Sequence, residues 1–314
     1  MQLYQHVYQI QSLFGGRNVF QYLFVADNSV LIDTGIAGTP DNVIFPYMEK
    51  LKLEPEKLTL AITTHADLDH QAGNGAIKAR SPQTLLACGD ADRELVESPR
   101  RLFDDRYNYL QSDHGVGFGE PDADAGQPLH IDLTFSGGER IRLKDDWALE
   151  VLHVPGHSHG HLAVYDKNNK AAFIGDAVHG HGCPFAEGGI AIPVTYYYVD
   201  IYLNTLRYLE SLDVERVYSG HWPAMTGEQF RDFISESRQT VEVFDRAILS
   251  GLKASASALT LKECIDAVSN AIGDWPKDSW TVAMFSVNGH LERLEQMQKV
   301  RAIRGTRPVR WALA

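Results

Sequence analysis

The sequence predicts an α/β fold with a smaller, mainly helical C-terminal domain. Three observations carry this. Up to about residue 225, apolar strand-like runs alternate with segments of helical spacing. Residues able to ligate a metal recur just past the ends of those runs. From 227 onward no long strand-like run remains and helical spacing dominates.

Taken in order, strands are expected at about 4–10, 19–26 and 29–33, with Asp27-Asn28 as a hairpin turn. Residues 41–52 carry Val43, Ile44, Tyr47, Met48 and Leu51 at helical spacing behind Pro40 and Asp41, a helix start. LTLAITTH (58–65) reads as a buried strand ending in polar residues. A helix at 71–79, a strand at 84–87 and a helix at about 89–97 follow. Residues 100–130 are an insertion, read as a short helix and then an exposed Gly/Asp/Pro-rich loop. Strands resume at 139–143, 147–154, 161–166 and 170–175. A Gly-rich loop spans 177–197, then a helix covers 199–211 and a strand 214–220. Helices are expected at about 228–250, 259–271 and 279–297, then two short strands around Gly305-Thr306. The boundary falls near 224–227, giving domains 1–225 and 226–314.

Composition excludes several classes. Of 314 residues, 44% are hydrophobic and 22% charged, which excludes disordered and collagen-like chains. A net charge of −12 repels phosphate backbones and argues against nucleic acid as the general partner. No run approaches the ~18 apolar residues a membrane span needs. MQLYQHVYQI lacks the features of a signal peptide, and Cys88, Cys183 and Cys264 form no CxxC pair. A cytoplasmic location is therefore expected.

Histidine is the informative residue, with 13 in the chain. His65-Ala66-Asp67-Leu68-Asp69-His70 directly follows an apolar strand. In an irregular turn, 65 and 67 can face one way and 69 and 70 another, serving two metals. His157, Asp176 and His221 each sit just past another strand end. Each Gly-His or Gly-Asp alone means little; the set in this order is what points to a metal site.

This pattern resembles the metallo-β-lactamase-fold superfamily of hydrolases, whose signature is HxHxDH, then His, Asp and His. The resemblance covers about residues 5–225. It implies an αββα sandwich of two mixed sheets flanked by helices. It also implies roles: His65, Asp67 and His157 for a first metal, Asp69, His70 and His221 for a second, Asp176 bridging both, and the Asp33-Thr34-Gly35 turn supporting the site from behind. Asp67 stands where the family usually has His. The C-terminal HLERLEQMQKV and the basic hairpin after it look like the winged-helix-like appendage of some superfamily hydrolases.

The implied cofactors are two divalent ions, Zn first, with Mn or Fe as alternatives. The implied reaction is attack of metal-activated hydroxide on an ester, lactone or thioester carbonyl of a small, partly apolar substrate. Asp69 is expected to take a catalytic role, with His179, three residues after the bridging Asp, as a substrate-facing group. With three carboxylates, two dications and one hydroxide, the core counts as neutral. The loop 177–197 has no Lys or Arg but carries His179, His181, Phe185 and Tyr196 to Tyr198, which suggests an apolar pocket with polar handles. Arg100, Arg101 and Arg106 could approach it from the insertion. A ribonuclease or phosphodiesterase and a non-haem iron oxygenase are the alternative functions. A homodimer is allowed; no membrane partner is expected.

Overall fold

The computed structural model describes residues 1–314. The first sheet has seven strands in spatial order β1 to β7: β1 (Gln2–Tyr4), β2 (Val7–Phe14), β3 (Arg17–Val25), β4 (Ser29–Ile32), β5 (Leu60–Ile62), β6 (Leu85–Gly89) and β7 (Leu133–Phe135). β1 to β4 pair antiparallel and β4 to β7 parallel. The second sheet contains β8 (Arg140–Lys144), β9 (Trp147–His153), β10 (Leu162–Asp166) and β11 (Ala171–Phe173). After a small separate hairpin, β12 (Cys183–Pro184) and β13 (Ile190–Ile192), it is completed by β14 (Arg216–Tyr218) and β15 (Met225–Thr226). Its order is β15-β14-β11-β10-β9-β8, with β11 and β14 parallel.

Period-two alternation explains why the sheets stack. Tyr22, Phe24 and Ile62 from the first sheet meet Trp147, Leu149 and Phe173 from the second in one buried cluster. The intervening Leu23, Leu31 and Ala61 point to the opposite face. There they meet α1 (Phe45–Lys50), α2 (Leu68–Gln71), α3 (Asn74–Arg80), α4 (Arg93–Glu97) and α5 (Pro99–Leu102), which contribute Phe45, Met48, Ile77 and Val96. After α6 (Gln111–His114), α7 (Val199–Glu210) lays Tyr202, Leu206 and Leu209 on the outer face of the second sheet. The result is helix, sheet, sheet, helix.

The C-terminal elements run α8 (Gly227–Ala254), β16 (Leu259–Thr260), α9 (Leu261–Ile272), α10 (Met284–Gln296), β17 (Val300–Ile303) and β18 (Arg310–Leu313). The strand order β16-β18-β17 and the helix-strand-helix-helix-hairpin sequence are those of a winged helix. Capping boxes, Thr226 with Gln229 and Thr260 with Glu263, start α8 and α9 and account for the change of texture. This region shares its core with the sandwich. Phe230, Ile234, Phe244, Val268, Leu291 and Trp311 belong to the same cluster as Ala163, Ala172 and Val217 of the second sheet.

Four local expectations change. The strand expected at 4–10 is the hairpin of β1 and β2, turning at Gln5-His6. The helix expected at 71–79 breaks into α2 and α3, where the Gly73 amide donates to the Gly35 carbonyl at 2.9 Å instead of continuing the helix ladder. The loop 177–197 contains the β12–β13 hairpin, whose strands are too short to show alternation. The insertion 100–130 is no free loop: Phe103, Arg106, Leu110, Val116 and Ala125 are buried. No helix is long and apolar enough to cross a membrane.

Because the core continues past 226, a chain cut there should expose the faces of α7 and β14 that α8 covers. The expected outcome is an insoluble fragment or one melting well below the full chain. A soluble 1–226 fragment with the parent melting temperature would contradict the shared core.

Candidate metal centre

The C-terminal ends of strands converge on one edge of the sandwich. Asp33 follows β4, His65 to His70 follow β5, His157 follows β9, Asp176 follows β11 and His221 follows β14. Within this edge three groups could each hold a cation: His65 with Asp67 and His157, Asp69 with His70 and His221, and His65 with His70 and Asp176. In each group the ligating atoms lie within 4.8 Å of one another.

Hydrogen bonds behind the rings decide which nitrogen faces inward. His70 Nδ1 lies 2.8 Å from Asp33 Oδ2 and His221 Nδ1 2.6 Å from the Asn18 carbonyl. His157 Nδ1 lies 3.0 Å from the Thr195 carbonyl. Thr64 Oγ1 donates to Asp33 Oδ2 and stands 3.0 Å from His65 Nδ1, so that nitrogen is the donor. All four rings therefore hold Nδ1–H outward and aim the Nε2 lone pair at the centre. Asp33 organises two of them from a left-handed backbone conformation, φ 60°, that costs a non-glycine residue strain.

The consequence is a crowd of acceptors. His70 Nε2 and His221 Nε2 are 3.3 Å apart. Asp176 Oδ2 is 3.2 Å from His221 Nε2, and Asp67 Oδ2 is 2.7 Å from His157 Nε2. His65 Nε2 and Asp176 Oδ1 are buried without any hydrogen-bond partner. Buried lone pairs facing one another repel unless a cation or proton lies between them. The donor set of imidazoles and carboxylates suits a borderline divalent ion such as zinc, so these residues fit the metals expected of them. Gly220 is required here, since a Cβ would lie 2.3 Å from Asp176 Oδ1.

Electrostatics agree. Burial would raise the carboxyl of Asp176, but His221 and His70 hold it well below the usual carboxylate range. Asp69 is lowered in the same way, against burial, by His70, His221 and Arg17. Burial would discharge His70, yet Asp33 and Asp176 push it up to about 10.

Asp67 is the surprise. Arg106 forks onto it, Nε to Oδ1 at 2.8 Å and Nη2 to Oδ2 at 3.1 Å. Tyr107 also donates to Oδ1 at 3.1 Å while accepting from the Leu68 amide. Against burial, Arg106 and His157 hold the Asp67 carboxyl well below its ordinary range. Arg106 is thus committed to Asp67 rather than free to meet substrate, while Arg100 and Arg101 pair with Asp104 and Asp105 on the surface. The neutral-core count is corrected by this buried cation, and by Arg17, which lies 3.4 Å from Asp69. Arg17 is marked by no local sequence, and Arg106, expected to approach the pocket, is tied to Asp67 instead; both reach the site through tertiary packing.

The centre forms the floor of a cavity of about 380 Å³. Its walls include Phe14, Phe103, Phe118, Ile192, Val282 and Phe285, from the first hairpin, the insertion, the β12–β13 hairpin and the C-terminal region. His179 lines it, with Nε2 buried and unpartnered, and burial keeps its imidazole neutral. Of the other expected pocket residues, Tyr197 lines the wall. His181 instead pairs with Glu236 at the surface, Tyr196 is buried against His290, and Tyr198 stacks on His159. Cys183 lines the cavity, but burial pushes its thiol well up, which suits no nucleophile. His161 accepts from the Asp176 amide and stacks on His65, a supporting position.

Metal binding should release protons, since His70 must give one up to ligate. Calorimetric zinc titrations at about pH 8, in buffers of different ionisation enthalpy, should report about one proton or more released per chain. No release would contradict the crowded-acceptor reading.

Comparison with known proteins places this geometry. Residues 14–221 match the metallo-beta-lactamase superfamily model. The chain is 27% identical to the human acyl-coenzyme A thioesterase MBLAC2 over 227 residues, covering 65% of this chain and 72% of the relative. It is 27% identical to a hydroxyacylglutathione hydrolase of Shewanella baltica, covering 77% of each. In fold it resembles a metallo-beta-lactamase family protein from Thermus thermophilus, with a TM-score of 0.77 at 19% identity over 99% of this chain and 100% of that one. A beta-lactamase domain protein from Burkholderia ambifaria gives 0.73 at 14% identity, over 100% and 94%. With two thirds of its length matched by the family model, the chain belongs to the metallo-beta-lactamase superfamily of hydrolases.

Proposed function

We propose that this hydrolase cleaves thioesters of small acyl groups, using two divalent ions, zinc first among them, held by His65, Asp67, Asp69, His70, His157, Asp176 and His221. The observation that carries the reading is the junction of inward-facing imidazole lone pairs and carboxylates with an apolar cavity directly above them. Relatives that act on acyl-coenzyme A and hydroxyacylglutathione support the thioester over the ester or lactone.

Bound ions would supply a water-derived nucleophile at neutral pH and a Lewis acid for the oxygen that gains charge. The protein's part is to position and to exclude. Phe103, Phe118 and Phe285 seat the apolar acyl group and keep bulk water out. Asp69, with Arg17 3.4 Å away, would orient the attacking water, take its proton and return it to the thiolate that leaves as the C–S bond breaks. The neutral His179 ring offers one N–H toward the substrate carbonyl oxygen. A phosphodiester reading gains no support. Arg17 and Arg106 are each tied to an aspartate, and Glu120 and Asp122 stand on the cavity wall. In the C-terminal region Arg293, Arg304, Arg307 and Arg310 are likewise paired, with Asp200, Glu295, Asp113 and Glu263.

A panel of zinc-loaded assays tests this. Acyl thioesters should be turned over faster than matched oxygen esters, lactones and phosphodiesters, and exhaustive chelation should abolish the activity. Preference for a phosphodiester, or full activity after chelation, would overturn the reading. Asp176→Ala should lose metal and nearly all activity. His179→Ala should keep its metal and lose about 10²–10³ in rate; loss of metal would make His179 a ligand.

A further inference from the structure

We propose that Arg106 is a positioning residue of the first metal site: it makes Asp67 the charge equivalent of a neutral imidazole. This rests on the metal-binding reading above.

The argument starts from the donor count. Asp67 brings a negative charge where a histidine would bring none, and that charge must be balanced in a buried site. The fork of Arg106 meets both carboxylate oxygens, at 2.8 and 3.1 Å. Such a bidentate contact fixes the plane of the carboxylate as well as its charge. The guanidinium has no other charged partner. Its remaining Nη1 donates to the His157 carbonyl at 3.2 Å, and its face lies 4.4 Å from the Tyr197 ring. Arg106 is 5% exposed, so solvent does little to screen it. The pair is net neutral, as one imidazole is. The same arginine therefore grips two residues of one candidate site, Asp67 through its carboxylate and His157 through its backbone carbonyl and, with Nη2 at 3.3 Å, its ring Nε2.

It follows that neither residue can be exchanged alone. Asp67→His would leave the buried guanidinium facing an imidazole and a bound dication with no anion between them. Arg106→Met would leave Asp67 without its main partner until a metal arrives. Changing both together restores charge balance.

The test measures zinc affinity by chelator competition, and melting temperature with and without zinc, for the parent, D67H, R106M and D67H/R106M. D67H should bind its weaker ion about 100-fold less tightly than the parent, and the double variant should return to within about 10-fold of it. R106M should melt lower without metal and gain more from zinc than the parent does, since zinc then supplies the missing positive charge. If D67H does not fold, a folded double variant with near-parent affinity is the same rescue. D67H that binds zinc like the parent, a double variant no better than D67H or itself unfolded, or equal gains from zinc in R106M and parent would each overturn the proposal. A purely structural ion pair would shift melting without shifting affinity. If the parent itself binds no zinc, the metal reading fails instead.

Discussion

Four imidazole lone pairs and three carboxylates share a space a few ångströms wide, and most of the surrounding structure answers that crowding. Facing acceptors in a low-dielectric interior repel, so the cluster persists only with positive charge among them. Part of that charge is built in. Arg17 leans on Asp69 and Arg106 grips Asp67. The remainder is left to a proton or a metal. The rings cannot turn away to relieve the repulsion, because Asp33, Thr64, Asn18 and Thr195 hold their outer nitrogens.

Such a cluster needs a stiff frame. The ligands stand at the ends of β5, β9, β11 and β14, strands whose inward side chains are locked in the core between the sheets. The C-terminal region extends that frame. His290 on α10 bonds Tyr196 at 3.0 Å and Asp245 of α8 at 2.7 Å, and Tyr196 stacks on Tyr202. Tyr202 in turn accepts the backbone amide of His179. The same region supplies Val282 and Phe285 to the cavity above the cluster.

The layers of the sandwich were legible wherever alternation or helical spacing ran long enough, as in β2, β3, β9 and α8. So were the seven residues gathered at the sheet edge, because each stands in a short motif directly behind an apolar run. What escaped depends on contacts distant in sequence. Arg106 meets Asp67 across 39 positions and Asn18 meets His221 across 203, and no local pattern marks either. The charge balance of the site escaped for the same reason: its carboxylates lie in the motifs, whereas its cations lie in a hairpin and an insertion. The insertion also read as exposed because its polar residues outnumber the few that anchor it, Phe103, Leu110 and Val116.

A pair of ions at this edge, as proposed, has a direct crystallographic signature. Diffraction from crystals of the zinc-loaded protein, recorded on either side of the zinc absorption edge, tests it most directly. Two anomalous peaks are expected, one among His65, Asp67 and His157 and one among Asp69, His70 and His221, with Asp176 between them. A single peak, or zinc bound elsewhere with this cluster metal-free, would contradict it.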